Sequence, residues 1–431
     1  MKNYIDVEEK LPILKTLPLS FQHLFAMIGA TILVPMLTGL SPSMALFGSG
    51  VGTLIYILCT KAKLPAYVGS SFAFIFPMQL ASSLYGVNSM LSGIIASGLV
   101  YVIVAIIIKY IGVNWLNKLL PSSVVGSVVI VIGLSLAGVA INWAGLNPSY
   151  FSKENMSHIL LQIPRYKWII VCLVTLGTGI VGTMYFKGFL GVIPILIAMV
   201  TGYVSALIIG AIPEASIKEI LNAPWFAIPQ FTLPKWNWNA VILMVPVSFV
   251  TLAEHIGHVY VTNNIVGRDF TKEPGLHRSI LGDGLATCFA GIIGAPPNTT
   301  YGENVGVMAI TRIYSVWVIG GAGVLAVILS MIGKVTAILK NIPLPVMGGV
   351  SIMLFGIIAS SGFRVFVEDK VDFSKKKNLI LCSVIIVLGI GGAQLDIPVG
   401  SVNIKVTGVA LATLVGIILN LILPEMGASE E

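Results

Sequence analysis

The sequence predicts an all-α polytopic membrane protein of about fourteen spans, built as two inverted seven-span repeats, with spans 3 and 10 interrupted. Three observations carry that prediction: the composition, the recurrence of apolar runs, and two internal matches at nearly one spacing. Of 431 residues, 56% are hydrophobic and only 10% are charged, with a mean hydropathy of +0.95. A soluble chain carries about a quarter charged residues. Apolar runs of roughly 17–25 residues recur along the chain, the length that crosses a bilayer core of about 30 Å. No charged n-region with a small-residue cleavage site precedes the first run, so no removable signal peptide is expected. Cys59, Cys172, Cys288 and Cys382 all fall inside apolar runs without a CxxC pair. They read as small core residues, neither disulfides nor metal ligands.

Taken in order, the runs give spans 19–39, 43–60, 65–84, 89–110, 122–144, 168–186 and 190–212, then 240–262, 279–295, 298–312, 315–338, 345–361, 378–394 and 405–423. With the N-terminus inside, 17 of the 25 Lys and Arg face the cytoplasm and 8 face outward. That asymmetry is the one that orients membrane proteins. It also explains the net charge of +7 by loop placement, so no nucleic-acid partner is called for. The external basic residues, among them Lys153, Arg165, Lys218 and Lys235, sit mostly in two longer loops, where charge steers topology least. An even span count puts both termini, including Glu431, in the cytoplasm, with Lys375 inside and Lys153 outside.

The repeat is visible in the residues. Ser20-Phe21-x-x-Leu24-x-x-x-Ile28-Gly29 in span 1 matches Ser248-Phe249-x-x-Leu252-x-x-x-Ile256-Gly257 in span 8. Pro121-x-x-Val124-x-Gly126-x-Val128-x-Ile130 in span 5 matches Pro343-x-x-Val346-x-Gly348-x-Val350-x-Ile352 in span 12. The offsets are 228 and 222 residues, and each match is seven spans apart. Seven is odd, so the second copy enters the membrane from the opposite side, an arrangement common in secondary transporters.

Spans 3 and 10 hold corresponding places in the two halves, and both are poor helices. Pro65, Gly69 and Pro77 interrupt the first, while Pro296-Pro297, Thr299, Thr300 and Gly302 interrupt the second. Pro removes a backbone donor, and Gly and β-branched Thr lower helix propensity. Broken backbone at membrane depth persists only where it is buried in protein or lines a cavity. Its freed N–H groups can then hold a ligand carbonyl, and paired interruptions are the best sequence pointer to a transport site.

Only Glu254, Asp283 and Glu303 of the 18 acidic residues fall inside predicted spans. A charge at the centre of a membrane helix costs at least about 2.5–3.5 kcal/mol, which marks these three as functional candidates. His258 follows Glu254 by four residues and shares its helical face, whereas His255 points roughly 100° away. A Glu–His pair in a dry site can exchange a proton near neutral pH. The alternative is a structural ion pair between helices. A zinc site is disfavoured, because EHxxH is not HExxH and no third ligand cluster appears.

The segment Glu303-Asn304-x-Gly306-x-x-x-x-Thr311-Arg312 resembles the signature of the nucleobase–ascorbate transporter family, also called nucleobase:cation symporter-2. Gln22-His23 is similar to the family's paired Gln-His. AEHIGH and PLPVMGGVS (residues 343–351) resemble segments of its uracil carriers, and the likeness runs almost end to end. The resemblance implies short extended strands, each between half-helices, interrupting spans 3 and 10, and a core domain of spans 1–4 and 8–11 (residues 1–110 and 239–340). It implies a gate domain of spans 5–7 and 12–14 (residues 111–238 and 341–431). It further implies import of uracil by proton symport across the cell's inner (plasma) membrane, with alternating access between the two domains.

In that family pattern Glu254 and Glu303 hold the base, with Phe72 and Gly302 offering backbone N–H groups. Ala30, Ser71 and Tyr301 shape the pocket, and His258 takes part in proton coupling. Asp283 resembles a span-9 carboxylate and is divided between core stabilisation and proton movement; His23 is assigned to packing. Phe355 stands where a uracil carrier has a tyrosine, so a gate-side hydroxyl is missing. No cofactor is implied, the proton being the coupling ion, and no enzymatic reaction. Relatives that take xanthine or urate tend to carry Gln where Glu303 stands. A purine-base symporter, and less so an anion exchanger or channel on the same fold, are the alternatives; whether the chain forms a homodimer is left open.

Overall fold

The computed structural model describes residues 4–152, 156, 158–399 and 402–424. Lys153 and Glu431, which the topology above assigns to opposite faces, lie outside the described residues. Fourteen helices can be set one by one against the predicted spans. The first half holds α1 (Ile13–Thr38), α2 (Pro42–Cys59), strand β1 (Val68–Ser70), α3 (Ile75–Tyr85), α4 (Val87–Ile111), α5 (Ser122–Ser135), α6 (Arg165–Tyr185) and α7 (Pro194–Ile208). The second half holds α8 (Trp238–Val266), α9 (Leu276–Ile293), strand β2 (Asn298–Thr300), α10 (Gly302–Thr311), α11 (Val316–Ser330), α12 (Leu344–Glu368) and α13 (Lys376–Ile390). Strands β3 (Gln394–Val399) and β4 (Val402–Thr407) and helix α14 (Gly408–Ile422) complete it. Among the described residues, seven helices are long and apolar enough to cross a membrane: α1, α2, α4, α5 with its continuation to Trp143, α6, α8 and α12.

The most extensive packing falls into two sets. Helix α9 lies against α4 and α2, α2 against α11, and α8 against α4; separately, α12 lies against α5 and α6, α6 against α7, and α13 against α14 and α5. Glycines set the closest approaches. A Cβ on Gly50 of α2 would stand 2.5 Å from the Gly323 carbonyl oxygen of α11, and one on Gly98 of α4 would stand 2.7 Å from that of Gly284 of α9. Small residues that let backbones meet are the usual means of joining helices in lipid, where no hydrophobic drive separates helix from solvent.

Strands β1 and β2 sit in the interrupted spans and pair antiparallel, Val68 opposite Thr300 and Ser70 opposite Asn298. Antiparallel pairing is what two oppositely inserted copies of one motif produce. Ser71 N–H donates to Pro297 O at 2.9 Å and Tyr301 N–H to Tyr67 O at 3.1 Å, so the ladder extends past both ends. The outer edges are satisfied by threonines from the preceding helices. Thr53 Oγ1 of α2 accepts from Val68 N–H at 3.1 Å and donates to Val68 O at 3.2 Å, and Thr287 Oγ1 of α9 donates to Asn298 O at 3.0 Å. All six strand residues are buried, and buried backbone without such partners would cost several kcal/mol per group.

Two expectations change in detail. The family pattern puts each strand between half-helices, but here extended coil precedes both, and helix follows only on the far side. Pro65 and Pro296-Pro297 explain the asymmetry, since they block helix on the N-terminal side. The sequence also runs span 13 on to residue 394 and starts span 14 at 405. Instead α13 ends before Gly391-Gly392, with Gly392 at φ 68°, and β3 and β4 form a hairpin with Gln394 opposite Thr407. Predicted span 14 takes in Val406 and Thr407, two β-branched residues that suit a strand and lie in β4 instead.

Candidate functional site

The β1–β2 pair brings two helix starts to one place. Phe72 begins a 3-10 turn (Phe72–Phe74) that runs into α3, and Gly302 begins α10; neither start is capped by a side chain. The first N–H groups of a helix have no acceptor within it and carry the positive end of its dipole. The residue types force this arrangement. Gly69 must lack a Cβ, which would lie 2.8 Å from the Tyr301 ring, and a Cβ on Gly302 would come within 3.1 Å of His258 Nε2.

Glu303 follows Gly302 in the first turn of α10. Glu254 comes from the middle of α8, which packs against β2, α10 and the Phe72 turn. The carboxylates of Glu303 and Asp283 are both near enough to act electrostatically on that of Glu254. The structure thus brings near one another the three acidic residues that the sequence singled out.

His258, one turn beyond Glu254, pairs through Nδ1 with Thr300 Oγ1 at 3.1 Å. The same hydroxyl lies 3.4 Å from His255 Nδ1. His255 is fully buried; its Nε2 is 2.6 Å from Ser279 Oγ, which in turn meets Tyr56 OH at 2.7 Å. His255 Nδ1 also lies 2.9 Å from Asp283 Oδ2, although neither Asp283 oxygen has a well-directed hydrogen bond. Asp283 therefore stands behind the site, reached through His255 and Thr300.

The remaining predicted residues divide by role. Tyr301 is buried, and its hydroxyl is already engaged, donating to Ser70 O at 3.1 Å and meeting Thr31 Oγ1 at 3.3 Å. It braces the strand pair against α1. Ala30 lies on α1 within the same apolar cluster as Tyr301. Ser71 Oγ is buried with no hydrogen-bond partner. Phe72 packs against both large apolar clusters and meets Phe355 of α12 edge to face, with ring centroids 6.4 Å apart. His23 is buried on α1 and pairs with Asn304 Nδ2 at 2.8 Å, while Asn304 Oδ1 accepts from Tyr67 N–H at 3.2 Å. It anchors the start of α10, in line with a packing assignment.

Sequence reasoning missed Thr300, Ser279 and the joining role of His255. Thr300 is 42 and 45 residues from the histidines it touches, and no periodicity links them. A threonine after two prolines inside an apolar chain reads only as a helix breaker.

The model of the Permease family matches residues 14–398. The chain belongs to this family. The permease is 48% identical over 417 residues to a uracil permease of Paenibacillus larvae, covering 97% of this chain and 96% of that one. It is 48% identical over 418 residues to a uracil permease of Escherichia coli, covering 97% and 93%. Among solved structures it superposes on the transmembrane domain of the cyanobacterial bicarbonate transporter BicA with a TM-score of 0.64, at 12% identity, over 96% of this chain and 99% of that one. That likeness speaks to the fold alone; the family match and the seven helices long and apolar enough to cross a bilayer make the chain an integral membrane protein.

Proposed function

We propose that the permease imports uracil by proton symport across the cell's inner (plasma) membrane. In this reading fourteen spans cross the bilayer, with both termini in the cytoplasm. The observation that carries the reading is the meeting of two carboxylates, Glu254 and Glu303, with two uncapped helix starts at Phe72 and Gly302. Uracil presents N–H donors between C=O acceptors along its edges. Carboxylates accept from the N–H groups, and the backbone N–H groups of Phe72 and Gly302 donate to the carbonyls. Ser71, whose hydroxyl lacks a partner, Tyr301 and Ala30 form the surrounding wall. The names of the relatives at 48% identity support uracil as the base.

Proton coupling belongs to Glu254 and His258, with Asp283 standing behind them through His255. Helices α1–α4 and α8–α11 act as the core domain, and α5–α7 and α12–α14 as the gate domain. Phe72 and Phe355 meet on the seam between them. Substrate entry alternates as the core moves against the gate. A purine-base symporter would be favoured by Gln at position 303, and an anion exchanger by neutral or cationic side chains at the two helix starts; the glutamates disfavour both. Counterflow of labelled uracil in proteoliposomes, with xanthine, thymine and cytosine as competitors, tests the reading. Displacement by uracil and not by xanthine is expected, and efficient displacement by xanthine would overturn it.

A further inference from the structure

At one end of the α4–α9 pair lies a groove of about 200 Å³ lined by Lys109, His277 and Arg278 over a floor of Ala105, Ile106 and Leu281. Lys109 comes from the last turn of α4, and His277 and Arg278 from the first turn of α9. The charges of Lys109 and Arg278 both act on His277. Among the described residues none of the three is paired with a carboxylate, and the one contact made by the Lys109 ammonium is with the face of Tyr110, 5.3 Å from the ring centroid. Cations gathered this closely repel one another unless an anion joins them.

The surface leading away from the groove is apolar and open. Leu99, Ile103, Ile106 and Tyr110 of α4 are 45%, 56%, 51% and 76% exposed. Their spacing of four, three and four residues puts them in one stripe along the helix. A soluble anion would use Lys109, Arg278 and the His277 imidazole and have no use for the stripe. A molecule with an anionic head and apolar tails would use both.

We propose that this groove is a binding site for the phosphate of an anionic phospholipid, whose acyl chains run along the Leu99–Tyr110 stripe. Basic pockets between membrane helices at the cytoplasmic face are suited to such headgroups. Lys109, Arg278 and His277 hold the phosphate oxygens, and the aliphatic stem of Lys109 covers the junction of head and tails. The site bridges α4 and α9 and lies apart from Glu254 and Glu303, so a bound lipid travels with the core domain and leaves the substrate site free.

The test uses the purified full-length chain in neutral detergent, with phosphatidylglycerol, phosphatidylcholine and sodium phosphate as probes. Binding is read by native mass spectrometry and by the rise in thermal unfolding temperature. Phosphatidylglycerol should bind and stabilise; phosphatidylcholine should not. Lys109→Gln with Arg278→Gln should weaken phosphatidylglycerol binding roughly thirtyfold, about 1 kcal/mol for each cation near a membrane surface. Lys187→Gln, at an exposed lysine elsewhere, should leave it unchanged. Should the double variant fail to fold, the wild type alone decides. Shortening the Debye length from about 10 Å to about 3 Å with salt must weaken phosphatidylglycerol binding, as it would any surface charge contact. Equal binding of phosphatidylcholine, unchanged binding in the double variant, or salt-insensitive binding overturns the proposal. Sodium phosphate binding as tightly as the lipid overturns it too, and assigns the groove to a soluble anion.

Discussion

Thr300→Val isolates the hydroxyl that holds His258. Val is β-branched and suits the strand as well as Thr does, and the backbone pairing of residue 300 with Val68 does not involve the side chain. The substitution therefore removes one oxygen and keeps the fold. That oxygen is 3.1 Å from His258 Nδ1 and 3.4 Å from His255 Nδ1, and its loss leaves the His258 nitrogen without its partner. Leaving a buried polar group unsatisfied costs about 1–3 kcal/mol. If that cost falls on the orientation of His258 that exchanges the proton, gradient-driven uptake falls roughly 5- to 150-fold. Equilibrium binding of uracil, which the proposed site assigns to Glu254, Glu303 and backbone N–H groups, should change little. Thr300→Ser keeps the hydroxyl and should restore uptake. The assay measures labelled-uracil binding and proton-driven uptake on the same reconstituted variants. Wild-type uptake in Thr300→Val, or Thr300→Ser as impaired as Thr300→Val, would refute the reasoning.

Glu303→Gln should weaken uracil binding at least tenfold, because the amide offers an N–H where the substrate also offers one; Glu254→Gln should do the same, and isothermal titration with uracil checks both. His258→Leu should impair accumulation under a proton gradient more than it impairs binding, and uptake by the wild type should rise as external pH falls, because the coupling proton enters with the base. If binding collapses in His258→Leu while residual transport still follows the gradient, the proton path lies elsewhere, with Asp283 next in line. Gly50→Ala forces a Cβ to within 2.5 Å of the Gly323 carbonyl oxygen, an overpacking that should cost about 1–3 kcal/mol, read as a lower unfolding temperature and reduced yield. Cysteines placed at Lys235 and Lys375 should react with impermeant reagent from opposite faces, and labelling from the same face would overturn the topology.

The sequence disclosed the features that physics makes expensive. A carboxylate within an apolar run is costly wherever it lies, so Glu254, Asp283 and Glu303 stood out without any structure. Prolines before β1 and β2 are equally visible, because they remove backbone donors. What stayed hidden are groups whose meaning is set by contacts across the fold. Thr53 and Thr287 look like ordinary helix residues, yet they close the strand edges. Asn304 was quoted only as part of a motif, and its ties to His23 and Tyr67 N–H depend on α1 and β1 arriving beside α10. The β3–β4 hairpin was lost for a different reason: residues 395–404 fell between two apolar runs and read as a connection, while β-branched Val406 and Thr407 were absorbed into span 14.

Accumulation of labelled uracil in proteoliposomes under an imposed inward proton gradient, with internal pH followed in the same vesicles, tests the central claim most directly. The account predicts uracil concentrated above its external level, acidification of the lumen that begins on adding uracil, and loss of both when a protonophore is added. Uracil that merely equilibrates, or that accumulates without any movement of protons, would contradict it.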